Sequence, residues 1–314
     1  MAQQAIGNYG KTVIDWESSF GVTPSTKKGF DLPFITNTVA AKQELVKSNV
    51  ITGRRSQSIP AYGNVDVAGS LTAPVDLGTI GHWLKGAIGA PVTTGTTDFS
   101  HVFKVGTALP SMLIERLVGS QYFQYNGCLV DTFKISIGGD QELTVSVDIV
   151  GCKSVTGTVP YNAAAEVVTQ TNKLNNFQPV VKIGGVASSV LKTCDMTISN
   201  NLDKNGYTIG GGGFRTSVVP GLITCSGTVK ALFTDMSLVN LGINQTKTSV
   251  EFVWDIDATH SLTFLFPEVN FSRVDPTIAG PGGVEIDLNW EAFYQSDSNA
   301  SAVVVTLENS VADY

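Results

Sequence analysis

The feature that most constrains this chain is an internal repeat. Residues 65–73 (VDVAGSLTA) and 223–231 (ITCSGTVKA) share their spacing of glycine, β-branched and small residues. Their glycines, Gly69 and Gly227, lie 158 positions apart (227 − 69). A long unit that occurs only twice favours two paired domains over a solenoid. Two fused copies of one domain can occupy two equivalent places around a symmetry axis.

A second, weaker similarity lies upstream of this repeat. Residues 39–52 resemble residues 186–199 with an offset of 147 (198 − 51). The two offsets differ by 11 (158 − 147), and this difference is assigned to the glycine-rich stretch 210–213, which the first copy lacks.

The composition favours strands and turns over helices. The chain has 314 residues, of which 42% are hydrophobic, so each half is long enough to bury its own core. Its 32 glycines, with many Thr, Ser and Val residues, are typical of β-structure. Only 15% of the residues are charged, and a surface poor in charge is often covered by other chains. The predicted fold class is all-β with short helices.

The net charge of −7 argues against nucleic-acid binding, because no basic field is present to hold phosphates. An acidic protein can still let DNA pass without binding it. The four cysteines lack metal-ligand spacing and lie near apolar segments, which predicts buried free thiols. The N-terminus lacks the pattern of an export signal, and no apolar run is long enough to span a membrane, so we expect synthesis in a reducing cytoplasm.

Periodicity and breakers divide the chain into four parts. We predict an irregular N-terminal arm over 1–35, a first domain over 36–152, a linker over 153–178 and a second domain over 179–314. Each domain contains several antiparallel strands. One short helix follows each copy of the glycine motif, with Asp76 as the predicted N-cap of the first, and a closing strand ends each unit. The last strand, over 302–307, is predicted at a sheet edge.

No pattern of catalytic or metal-binding residues emerges. The three histidines are scattered, and neither a nucleophile elbow nor a phosphate loop is present. Residues 201–206 resemble the start of a calcium loop, but its twelfth position is Gly212 where a carboxylate is required. We interpret this segment as a polar turn and the following glycines as a loop tip that orders on a neighbouring subunit. Neither catalysis nor a cofactor is predicted.

The closing strands of the two domains carry acidic residues on one face. Alternation places apolar side chains on one side and polar side chains on the other. Neither polar face contains Lys or Arg, although an ordinary solvated face usually mixes both signs. The residues on these faces are Glu142, Thr144, Ser146 and Asp148 in the first copy and Glu285, Asp287, Asn289 and Glu291 in the second.

Several short motifs, in their order and spacing, resemble the major tail tube proteins of long-tailed bacteriophages. The resemblance covers residues from about 35 to 295. It rests on residues 69–76 (GSLTAPVD), 83–91 (WLKGAIGAP), 101–103 (HVF), 109–111 (LPS), 125–128 (YNGC), 200–203 (NNLD) and 221–231.

This resemblance implies two tandem β-sandwich or barrel domains, each with one flanking helix, that build rings. Rings stack into a tube whose lumen holds the tape-measure protein and later conducts double-stranded DNA. The implied partners are further copies of this chain, the tape-measure protein, and the tail terminator and tail-tip proteins. The implied location is the virion tail, after assembly in the bacterial host cytoplasm.

The duplication predicts three chains per ring, a trimer that imitates a hexamer of single domains, with a true hexamer as the alternative. A carboxylate-lined lumen would repel DNA phosphates. Candidate lumen-facing acids are Glu142, Asp148, Glu285, Asp287 and Glu291. Candidate contacts between subunits or rings are Arg54, Arg55, Asp203, Gly211 and Gly212.

A different class of function remains open on the residues alone. Duplicated β-sandwiches also serve as adhesins or carbohydrate-binding modules, which display solvent-facing aromatic residues. Trp83 and Trp254 lie in amphipathic or apolar contexts, which favours core positions for both side chains.

Overall fold

A computed structural model describes residues 4–314 of the chain. Within these residues nearly all the regular elements are β-strands, together with two short α-helices and a 3-10 turn at Gly7–Tyr9. In chain order the elements are β1 (Lys11–Trp16), β2 (Phe30–Asp31), β3 (Thr36–Asn37), β4 (Ala40–Val46), β5 (Ala61–Pro74), α1 (Ile80–Ile88), β6 (Val92–Gly95), β7 (Phe99–Lys104), β8 (Met112–Val118), β9 (Gln121–Ile137), β10 (Thr144–Gly151), β11 (Lys153–Gly157), β12 (Glu166–Val167), β13 (Val180–Ile183), β14 (Val186–Ala187), β15 (Leu191–Ser199), β16 (Thr224–Leu232), α2 (Ser237–Ile243), β17 (Thr248–Asp257), β18 (His260–Phe271), β19 (Glu285–Ala292) and β20 (Val304–Asn309). The predicted all-β class with short helices is confirmed.

Seven of these strands form one continuous antiparallel sheet, which we call the shared sheet. Its order is β4–β5–β10–β9–β15–β16–β19. Four strands come from the first half of the chain and three from the second. The halves join where the C-terminal part of β9 pairs with β15, from Thr132 opposite Ser199 to Ile137 opposite Cys194.

A second layer of strands covers the shared sheet. In the first half its order is β2–β1–β8–β9–β11, and in the second half it is β14–β13–β17–β18–β20–β7–β6. The long strands β9 and β18 pass from one layer to the other and connect them. The β6–β7 hairpin belongs to the first half by sequence, but it pairs with β20 of the second half.

The two halves repeat the same pairing on the closing side of the glycine motif. Gly69 lies opposite Ile149, and Gly227 lies opposite Trp290. The closing strands β10 and β19 are thus equivalent with an offset of 141 (290 − 149). These are the two closing strands that the sequence predicted.

Pairing on the other side of the motif corrects the upstream alignment. Asn37 lies opposite Leu71, and Cys194 lies opposite Val229, which gives an offset of 157 (194 − 37). The offset of 147 is wrong, because residues 50–52 form an exposed connection while their supposed counterparts lie in β15. Both segments are rich in β-branched residues, and composition alone cannot set a strand register.

The prediction of an irregular N-terminal arm is wrong for residues 11–16. They form β1, with residues 12–15 buried, which pairs with β8 so that Ile14 lies opposite Ile114. In the second half, β13 occupies the equivalent place and pairs antiparallel with β17. Local sequence gives a weak strand signal here because burial on both faces removes the alternation. Residues 1–3 of the predicted arm lie outside the described residues.

Three further expectations differ from the structure. The stretch predicted as a linker contains β11 and β12, which pair with β9 and β2. The last strand, β20, is not at an edge, because the β6–β7 hairpin covers its outer side. Asp76 does not cap α1: the N-cap residue is Thr79, and the Asp76 carboxylate accepts backbone N–H groups of Gly78 and Asn172.

The core lies between the two layers and runs through both halves. Apolar side chains of alternate positions meet there, including the fully buried Trp254, Trp290 and Phe252. Helix α1 packs against β9 and β7, and all its residues except Lys85 are buried. The Tyr314 ring closes over Gly81, where a Cβ would come within 2.3 Å of it. Neither helix of the described chain is long and apolar enough to cross a membrane.

Candidate functional site

The shared sheet has one apolar and one polar side. Along β10, Val145, Val147 and Ile149 are buried in the core, while Ser146 and Asp148 between them are only half-buried. The C-terminal part of β9 and the strands β15, β16 and β19 alternate in a similar way, since successive side chains point to opposite faces. We call the second side the polar face.

Four of the predicted acidic residues lie on the polar face. Asp148 in β10 accepts a hydrogen bond from the Ser70 hydroxyl of the neighbouring strand β5. Glu285, Asp287 and Glu291 lie on one side of β19, with Asn289 between the last two. The apolar positions between them, including Ile286 and Leu288, are buried.

Glu142 does not belong with this group. It precedes the first residue of β10 and forms an isolated bridge with Asn175. Its carboxylate forms an ion pair with Lys173 at 2.9 Å. Glu142 therefore joins the segment that contains Lys173 and Asn175 to the start of β10.

The polar face also carries lysines, which the closing strands by themselves did not reveal. Lys134 of β9 lies opposite Ser146, and Lys230 of β16 lies opposite Asp287. Glu285 forms ion pairs with Lys192 and with Lys230. Hydrogen bonds from these two ammonium groups lower the pKa of Glu285. Acids and bases thus alternate across strands, and only inspection of the neighbouring strands could have shown the basic partners.

The shared sheet ends at two open edges. At one end is β4, whose outer side has no strand beside it among residues 4–314 and whose residues after Ala40 are exposed. At the other end, β19 pairs with β18 only at residues 290–292, so that its first half has a partner on one side alone. An open edge presents unpaired N–H and C=O groups to another strand.

The candidate contact residues Arg54 and Arg55 lie in an exposed connection between β4 and β5. Residues 47–60 contain no strand. Apolar side chains accompany the arginines, with Ile51 96% and Ile59 85% exposed. An exposed apolar and basic loop of this kind is typical of a contact with another molecule.

The glycine-rich loop is anchored within the chain. The Gly213 carbonyl accepts the Val65 N–H at 2.8 Å, and the Tyr207 hydroxyl donates to the Val65 carbonyl. Asp203 accepts the N–H of Asn205 at 2.9 Å, which is the polar turn that the sequence predicted. Gly211 and Gly212 lie in the tip of this loop.

Arg215 holds this loop to β5 and β10, and no local sequence pattern pointed to this role. Its guanidinium is 5% exposed and donates to the carbonyls of Val67, Gly151 and Lys204. It also forms an ion pair with Asp66 of β5, whose side chain is 54% exposed.

The histidines serve the fold. His82 is buried against Phe30 and Tyr314, and burial lowers its pKa to about 3. His101 bonds to Thr93 and to the Val311 carbonyl, each at 2.8 Å. Within residues 4–314, no three potential metal ligands of the His, Cys, Asp or Glu type come together.

The predicted buried thiols and core tryptophans are confirmed. Cys128, Cys152, Cys194 and Cys225 are free and buried. Burial raises the pKa of each thiol. Trp83 and Trp254 are at most 1% exposed, so neither offers the aromatic platform of a carbohydrate-binding module.

A β-rich chain with open sheet edges and a polar sheet face is typical of proteins that assemble through strand pairing. The family model described as "Phage tail tube protein" matches residues 7–292, and the chain belongs to this family. It is a structural protein of the phage tail. No curated protein matches the chain.

Proposed function

We propose that this chain is a major tail tube subunit with two tandem tube domains, which forms stacked rings around a lumen. The observation that carries the proposal is the shared sheet. Two halves with the same strand pairing are already fused edge to edge at β9 and β15, while the outer ends of the sheet stay open. The fused pair behaves as two neighbours of a ring joined in advance.

Ring closure follows from the two unlike ends of the sheet. The β4 edge and the β19 edge lie at opposite ends of the shared sheet and do not pair with each other in the described chain, so each is free to meet the opposite end of another copy. Such a head-to-tail contact closes into a ring when the rotation fits. Closure also removes the open edges. Three chains, each supplying two domains, form a pseudo-hexameric ring in this proposal.

The polar face is proposed to line the lumen. It presents Asp148, Glu285, Asp287 and Glu291, together with lysines that neutralise part of this negative charge. A duplex that meets an acidic, mixed-charge wall has no continuous row of cations on which to bind. The lumen would thus hold the tape-measure protein first and conduct double-stranded DNA during ejection.

Contacts between stacked rings are proposed for the exposed loop that carries Arg54 and Arg55. Its exposed isoleucines supply apolar area and its arginines supply charge. The loop tip at Gly211 and Gly212, with Asp203 at its base, is a second candidate contact. The tail terminator and tail-tip proteins would meet the same surfaces at the ends of the tube, after assembly in the bacterial host cytoplasm.

Native mass spectrometry and negative-stain microscopy of concentrated pure protein test the proposal together. We expect rings or tubes in the images and three chains in a detached ring. Six chains per ring would contradict the trimer, but the proposal that the chain forms a tube would still stand. Monodisperse particles at every concentration, with no rings, would contradict the assembly itself.

A further inference from the structure

The junction inside the chain shows how a strand of the shared sheet is completed. Residues 132–135 of β9 pair with both β10 and β15, and residues 136–137 continue the pairing with β15. Their core side carries Phe133, Ile135 and Ile137, all at most 6% exposed. This half-strand is therefore held by one neighbour from each half of the chain.

The second half contains a counterpart of residues 132–137 that is not paired into the sheet. Trp290 opposite Phe271 matches Ile149 opposite Val130, which gives β9 and β18 the offset of 141 (271 − 130). The counterpart of residues 132–137 is thus residues 273–278, which belong to no strand. We call residues 273–279 the detached segment.

The detached segment keeps the pattern of a strand. Val274, Pro276 and Ile278 are apolar at the positions of the three core residues of β9, and polar residues alternate with them. Ile278 is 85% exposed, as expected of a core-side residue that lacks its cover. Val274 packs partly against the core at the start of the segment, whereas the glycines that follow its end, Gly280, Gly282 and Gly283, have open space around them.

One proline favours a detached state in the free chain. Pro276 has no N–H and withholds one hydrogen bond from any ladder that the segment joins. A proline is a common device for keeping an edge strand from pairing prematurely. Pairing with β19 alone would be weak, since a strand held on one side gains half of the ladder contacts that β9 has.

We propose that the detached segment becomes the eighth strand of the shared sheet when a second copy of this chain docks. It would lie between β19 of its own chain and the β3–β4 edge of the next copy, as residues 132–135 lie between β10 and β15. This inference rests on the proposed function and assigns the contact between copies. Subunit docking and strand formation are then one event.

The internal junction also fixes the register of this contact. Inside the chain Thr197 lies opposite Lys134. The offset of 157 makes Ala40 the counterpart of Thr197, and the offset of 141 makes Asp275 the counterpart of Lys134. Ala40 of the next copy should therefore lie opposite Asp275. Ser199 opposite Thr132 becomes Lys42 opposite Arg273. Asp275, which pairs with Arg273 at 3.6 Å, lies diagonal to Lys42 and offsets the two cations.

Disulfide trapping between copies tests this register. A variant with Ala40→Cys and Asp275→Cys has its two thiols on facing positions of neighbouring copies, close enough for a disulfide. The matched control pairs Ala40→Cys with Ala279→Cys, a position on the same side about 13 Å further along an extended strand. Both variants are assembled, oxidised and run on a non-reducing gel, and assembly is checked by microscopy.

We expect the first variant to form covalent oligomers that end at one closed species and revert to monomer with reductant. The control should stay monomeric on the gel although it assembles equally. Hydrogen exchange of wild-type peptides spanning residues 273–279 should slow at least about tenfold on assembly.

Two outcomes would overturn the inference and can be told apart. If rings form, but the control crosslinks as well as the first variant or exchange stays fast, the detached segment is not the joining strand and the proposed function still stands. If neither wild type nor variants form rings, the proposed function fails and the inference fails with it.

Discussion

Gly227 of β16 lies directly against the indole ring of Trp290, its opposite neighbour on β19. A Cβ at Gly227 would come within 2.5 Å of this ring and within 2.1 Å of the Asp195 carbonyl oxygen. Gly69 is confined in the same way, because a Cβ added there would come within 2.5 Å of the Val39 Cα. The repeated glycine thus marks a place in each half where strands approach too closely for any side chain.

Substitution of this glycine should destabilise the fold. We expect Gly227→Ala to lower the free energy of unfolding by about 1–3 kcal/mol, because the added methyl group must displace a buried ring. Gly7→Ala, where a Cβ meets nothing within 4 Å, should change it by less than about 0.5 kcal/mol. Urea unfolding of both variants is the measurement, and equal stabilities would contradict the close packing.

The buried Arg215 should matter more than its acidic partner. Arg215→Met leaves three carbonyls without their donor and should cost about 2–4 kcal/mol. Asp66→Asn keeps those three bonds and alters only a half-exposed carboxylate, so its cost should stay below about 1 kcal/mol. Thermal or urea unfolding separates the two, and the reverse order would show that the ion pair dominates.

Acid should weaken the fold through Glu268. Its carboxylate accepts hydrogen bonds from Lys247 at 2.7 Å and from two backbone N–H groups, which lowers its pKa to about 2. In the unfolded chain its pKa is about 4.3. The stabilisation is therefore complete above about pH 5 and is lost as the pH falls toward 2.

Glu268→Gln tests this pH dependence. The variant should differ most from wild type in melting temperature near pH 6 and least near pH 2. Lys247→Met removes one of the hydrogen bonds to Glu268, so it should also reduce the fall in melting temperature between pH 6 and pH 2. A constant difference between wild type and Glu268→Gln from pH 6 to pH 2 would contradict the proton linkage.

The four thiols should be inert in the folded protein. Burial raises the pKa of Cys152 to about 11 and that of Cys225 to about 12, so little thiolate forms at pH 8. An aromatic disulfide reagent should report almost no reaction in buffer and all four thiols in denaturant. Fast labelling of the folded chain would contradict this burial and complicate the trapping experiment.

Charge reversal on the polar face tests its placement in the lumen. We expect Asp287→Lys with Glu291→Lys to leave assembly intact and to slow DNA ejection, because cations facing the lumen would bind phosphates. A matched pair, Asp98→Lys with Asp255→Lys, changes exposed acids of the second layer and should not affect ejection. Loss of assembly in the first pair would indicate an interface instead, and unchanged ejection would contradict the lumen.

Local patterns predicted the strands and both helices well. The alternation in β10 and β19 and the short helix that follows each glycine motif are local signals. Strand β1 was missed because burial on both sides hides its alternation. The lysines facing Glu285 were missed because they lie 93 (285 − 192) and 55 (285 − 230) positions away.

By itself the sequence indicated that the chain is β-rich, that its glycine motif occurs twice, and that an amphipathic strand follows each copy. These properties are encoded in the period of side chains a few residues apart. Only the tertiary structure decided which strands are neighbours: that β9 receives β15, that β20 receives the hairpin of the other half, and that residues 273–279 receive nothing. Pairing depends on backbone hydrogen bonds between distant segments, and these backbone groups are nearly the same in every residue except proline. Which strands become neighbours therefore depends on how the apolar faces of distant segments pack together in the core.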